Sequence, residues 1–154
     1  MTYPSLVAVG TNRTIYVSQL HRPAVFLCYA EATQHDADPI EAAVRARYSA
    51  ADVLVGHVVD LHGVPRMFRG AAERILNSEY EKAVAALPEG EAAEDYVVIL
   101  PDWDGAFVQS LGLAEDVSKR LAVAVFGRDG TLLGTAQGDG TADDCLEMLS
   151  TSGA

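Results

Sequence analysis

The chain has 154 residues, of which 49% are hydrophobic and 21% charged, and 22 acidic side chains against 11 basic ones leave a formal net charge of −11. That composition excludes intrinsic disorder, and a single domain of this size buries roughly two-thirds of its unfolded surface without a disulfide or a metal. So acidic a surface repels DNA, RNA and anionic lipid, which excludes nucleic-acid and membrane-surface functions.

The first residues, MTYPSLVAVGTNRTIYV, carry no basic leader before their short apolar run. No apolar run nears the ~20 residues of a membrane-spanning helix, so the expectation is a cytoplasmic protein without an export signal or anchor. Segments VAVG and TIYVSQL predict an N-terminal hairpin. The run Ala24 to Ala30 is almost wholly apolar, as is Val53 to Val59, which suits strands covered on both faces of a parallel sheet. Between them, Asp38, Pro39 and Glu41 supply an N-cap, a proline at the first helical position and a capping-box carboxylate.

Phe68, Ala71, Ala72, Ile75, Leu76, Tyr80, Ala83, Val84 and Leu87 then recur at spacings of three and four. That pattern predicts one buried stripe on a long helix ended by Pro88, with Glu73, Arg74, Glu79, Glu81 and Lys82 on a solvated face. The polar stretch Pro88 to Tyr96 is too short to divide domains, so residues 1–154 read as one domain. Tyr96 to Leu100 predicts a strand and Asp104 to Leu111 a short helix closed by Gly112. Leu121 to Phe126 and Thr131 to Ala136 predict a hairpin turned at Gly127 to Gly130, and Thr141 to Ser150 a last helix capped by Thr141. The fold class is α/β: a central mixed sheet with helices on both faces, in the order β-α-β-α-β-α-β-β-α after the hairpin.

This order resembles the thioredoxin-like superfamily, and the resemblance spans nearly the whole chain. It is carried by PAVFLCYA, by VVILPDWDGAFVQSLGL and by RLAVAVFGRDGTLLG. Peroxiredoxins and thiol-disulfide oxidoreductases are the nearest branches. The resemblance implies a Cys-x-x-Cys pair just after the first central strand, where a thiolate at a helix N-terminus attacks a disulfide and the second thiol resolves it. Thr33-Gln34-His35-Asp36 stands in that slot. The family's cis-proline would fall near Arg120, Leu121 or Ala122, and no proline is there.

Only Cys28 and Cys145 are present, too few for a disulfide framework, and both read as core residues. Cys145 shares an apolar helix face with Met148 and Leu149. His57, mid-strand in VLVGHVVDL, reads as a hydrogen-bonded structural histidine. In such a sheet, ligands gather beyond the C-terminal ends of the parallel strands. That edge collects Thr33, His35, Asp36, His62, Arg66, Arg69, Trp103 and Asp104, a rim rich in binding groups and poor in nucleophiles. Arg66 and Arg69 suit a carboxylate or phosphate, with Trp103 as a stacking face, or else pair with Asp60 and Asp102.

These residues predict a redox-inactive binding or accessory module that uses the former active-site rim, with no cofactor and with a protein or small anionic ligand as partner. Oligomerisation through an edge strand stays open. Under the resemblance, the alternative is a divergent peroxiredoxin-like or alkyl hydroperoxide reductase-like enzyme that uses Cys28, with Arg120 as activator. A third reading is a metal site made by His35, Asp36 and His62.

Overall fold

The computed structural model describes residues 2–153. The chain enters through a short antiparallel pair, β1 (Leu6–Val7) and β2 (Thr14–Ile15). Much of the TIYVSQL segment is a 3-10 turn at Val17–Gln19 instead of strand. Then follow β3 (Ala24–Tyr29), α1 (Ala37–Arg45), β4 (Leu54–Asp60), α2 (Arg69–Ala85), α3 (Ala93–Tyr96) and β5 (Ile99–Asp102). The last elements are α4 (Ala106–Ser110), β6 (Ala122–Phe126), β7 (Leu132–Gln137) and α5 (Thr141–Ser150).

Five strands form one mixed sheet in the order β5-β4-β3-β6-β7. Strands β3, β4 and β5 run parallel, while β6 and β7 close the sheet as an antiparallel hairpin. Every residue of β3 is buried because both of its faces are covered. Ala24, Phe26 and Cys28 point into a core built with Phe107, Phe126 and residues from β1 and β2. The rings of Phe26, Phe107 and Phe126 meet edge-on or tilted, with centroids 5.4 to 6.3 Å apart. Gly56 on β4 makes room for this cluster: a Cβ there would lie 3.0 Å from the Phe26 ring. Val25, Leu27 and Tyr29 point to the opposite face, which α1 and α5 cover through Ile40, Val44, Cys145 and Leu149.

Three further local expectations are corrected. Helix α1 begins at Ala37, continuing a 3-10 turn over Glu31–Asp36, so Asp38 lies in the first helical turn and is not the cap. Pro39 is tolerated there because the amide it lacks belongs to the first turn, which has no intrahelical partner. Tyr96 closes the single turn of α3, and the strand begins only at Ile99.

The third correction is the largest. Helix α2 forms where its periodicity predicts, yet none of its residues is buried, and Ile75 is 62% and neighbouring Phe68 55% exposed. Leu76, Tyr80, Ala83 and Val84 are half-buried, because the helix leans over the sheet without closing on it. Tyr80 anchors it, its ring lying against Gly10, whose φ of +85° and missing Cβ admit the contact.

Candidate functional site

The corner that follows β3 holds the 3-10 turn Glu31–Asp36. Thr33, expected on the binding rim, is instead buried. Its hydroxyl donates to the Val117 carbonyl at 2.6 Å and accepts from the Ala30 amide at 3.2 Å. Thr33 therefore ties the corner to the loop before β6 and offers nothing to a ligand.

Cys28 lies beneath that corner with 0% exposure. Burial pushes its thiol far up, and the nearby carboxylates of Asp102 and Asp60 push it further. A reactive cysteine needs the opposite surroundings, an accessible sulfur beside a cation. Arg120, the expected activator, is half exposed and ion-paired with Glu115 at 2.9 Å. Cys145 is buried as expected, with its thiol raised to about 11 by desolvation.

The predicted rim separates into local pairs. His35 sits beside Asp36 at 3.2 Å, and His62 Nδ1 lies 2.7 Å from Asp60 Oδ1. Arg69 lays its guanidinium over the Trp103 ring at 5.6 Å from the centroid, and Arg66 is exposed. Asp102 is buried, its two oxygens accepting the Phe107 and Val108 amides at 3.3 and 2.9 Å, which fixes the start of α4. Exposed Asp104 accepts the Ala106 amide at 3.2 Å. Among the described residues, no three of His, Cys, Asp and Glu converge as metal ligands, so the grouping of His35, Asp36 and His62 is not formed.

A concavity lies under α2 and beside the corner, and of the predicted rim it takes in His35. It is a cleft of about 530 Å³ whose floor includes Tyr29, His57, Val59 and Ile99. Its walls come from α1 through Asp38 and Glu41 and from α2 through Ile75, Leu76, Glu79 and Ala83. That volume falls within the usual range for small-molecule sites. A hydrogen-bonded chain crosses its floor: His57 Nε2 lies 3.1 Å from Glu41 Oε1, and His57 Nδ1 lies 3.0 Å from the Tyr29 hydroxyl. A carboxylate only accepts, so Nε2 carries the proton and, in the neutral ring, Nδ1 accepts from Tyr29. The Tyr29 phenol is pushed well up, first by burial and then by Glu41, Asp38 and Glu79. Glu79 thus faces the cleft, not only solvent.

No protein-family model and no curated protein matches the sequence. Solved structures match over nearly its full length. The exposed lipoprotein thioredoxin Etrx1 from Streptococcus pneumoniae strain TIGR4 superposes with a TM-score of 0.64 at 16% identity, over 96% of this chain and 98% of that one. A thioredoxin-family thiol:disulfide interchange protein from Chlorobium tepidum TLS gives 0.59 at 10% identity, covering 100% and 97%. The chain has the thioredoxin-like fold. StoA from Bacillus subtilis agrees, with a TM-score of 0.56 at 13% identity over 93% of each chain.

Within the thioredoxin-like fold, sequence reasoning found the corner but missed the cleft. His57 was legible as a hydrogen-bonded histidine, whereas its partners stand 28 residues before it on β3 and 16 before it on α1. One signal was available. On an alternating strand, His57 shares its face with Val55 and Val59, the face that α1 covers, and Glu41 is one turn from Ala37 on that helix.

Proposed function

We propose that this thioredoxin-fold protein is a binding or accessory module that does not exchange disulfides, and that it recognises its ligand at the corner after β3 and the cleft beside it. One observation carries the reading. The corner holds buried Thr33 and exposed Gln34, His35 and Asp36 in place of a cysteine pair, while the one thiol beneath it, Cys28, is wholly buried in the apolar core, its thiol pushed up by burial and by the charges of Asp102 and Asp60. The cleft adds what a binding module needs, a concave apolar surface with polar groups fixed by hydrogen bonds. A reducing, cytoplasmic setting suits two cysteines that are both free. Among the described residues, no helix is long and apolar enough to cross a membrane.

The test is reduction of insulin disulfides and of hydrogen peroxide by the purified protein, run beside Cys28→Ser. Both proteins should match the no-protein control. Turnover by the wild type that disappears in Cys28→Ser would overturn the proposal.

A further inference from the structure

The cleft under α2 has a distinctive chemistry. Its lining contains four carboxylate side chains, from Glu31, Asp38, Glu41 and Glu79, and neither lysine nor arginine. Among the described residues, no ion pair neutralises Glu31, Asp38 or Glu79. Glu41 spends one oxygen on His57 Nε2. Arg45, whose charge acts on Glu41, lies outside the lining, donating to the Val53 carbonyl at 2.8 Å and stacking over Tyr96. Beside these acids lie Val59, Ile75, Leu76, Ala83, Val98 and Ile99, which give an apolar wall without charge. Ile75 is 62% exposed here, an aliphatic side chain left in water at the mouth of a concavity.

Carboxylates around an apolar wall complement one ligand chemistry. A cationic head gains charge-assisted hydrogen bonds and its hydrocarbon body removes apolar surface from water, whereas an anion meets repulsion from four carboxylates, of which Glu31, Asp38 and Glu79 are solvent-exposed and partly screened and Glu41 is half-buried. We propose that the cleft binds a small organic cation, an amine with an apolar body, its ammonium among Glu41, Glu79 and Asp38 and its body against Ile75, Leu76 and Val59. This assignment rests on the reading of the protein as a binding module and names the ligand class at that site. Burial pushes the Tyr29 phenol up first, and the carboxylates of Glu41, Asp38 and Glu79 push it further, as their position around the cleft floor requires. His57 holds Glu41 and Tyr29 in place from beneath, as a positioning residue.

The test is a two-dimensional NMR titration of the full chain with octylammonium, octanoate and tetramethylammonium. Octylammonium should saturate at one equivalent and shift Tyr29, His57, Leu76 and Ala83, while octanoate at the same concentration leaves them unmoved. Tetramethylammonium, a charge without the hydrocarbon body, should bind far more weakly. Glu79→Gln should weaken octylammonium by about tenfold, the equivalent of one charge-assisted hydrogen bond, and Leu76→Ser should also weaken it while leaving the charge untouched. Octanoate shifting the same residues would overturn the cationic assignment while keeping the cleft as a ligand site. Octylammonium binding that ignores both variants, or no shift in the cleft with any probe, would overturn the assignment, and the last result would also remove the cleft from the proposed function.

Discussion

His62 and Asp60 show what became of the rim at the level of single side chains. The Asp60 carboxylate accepts both the His62 amide at 3.1 Å and its ring Nδ1 at 2.7 Å, so the histidine closes on its own loop. The hydrogen bond to Asp60, followed by the charge of that carboxylate, raises the His62 imidazole above its ordinary 6.5. A raised folded value means that the pair stabilises the fold fully below the unfolded value and loses that contribution as pH rises through the folded value. The effect is small because the imidazole is half open to water. Histidine NMR should place the His62 midpoint above 6.5, and Asp60→Asn should bring it down; an unmoved midpoint would dismiss the pair as its cause. Nothing in the sequence around DLHG separates this closed turn from an open ligand. Thr33 was equally illegible, since its partner at Val117 is 84 residues away.

Among the elements, α2 is the informative one. Its period was legible from Phe68 to Leu87, but periodicity reports that one face is apolar and not what that face meets. Here the face meets a cleft, and the helix keeps no buried side chain, whereas all six residues of β3 are buried. Regions with few buried apolar contacts open at lower free energy than the core. Native-state hydrogen exchange should therefore show the amides of α2 opening in a sub-global step well before those of β3, β4 and β6. Exchange of α2 at the same free energy as β3 would mean that the helix is locked to the sheet. An α2 that opens separately also offers ligands an entrance, which links the weak packing of the element to the proposed role of the cleft.

For the whole molecule, the strand and helix alternation of the sequence was enough to predict the mixed sheet, because short apolar runs such as PAVFLCY, alternating with capped helical segments, suit strands buried on both faces. The absence of a cysteine pair was equally legible. The cleft was not, since its lining joins the β3–α1 corner to β4, α2 and β5, and no local pattern shows that α2 leaves a gap over these strands. The formal net charge of −11 puts a negative field over the molecule, and the carboxylates lining the cleft carry the same sign.

The central claim is that this thioredoxin-like fold has no working thiol at its corner. The most direct measurement is the rate at which a small thiol reagent modifies Cys28 under native conditions, followed by mass spectrometry across a urea series. If Cys28 reacts only when the fold opens, labelling without denaturant should be slower than in the unfolded chain by at least ~10³-fold and should accelerate as urea approaches the unfolding midpoint. Labelling in native buffer within a few-fold of the unfolded rate would place an accessible thiol beneath the corner and contradict the account.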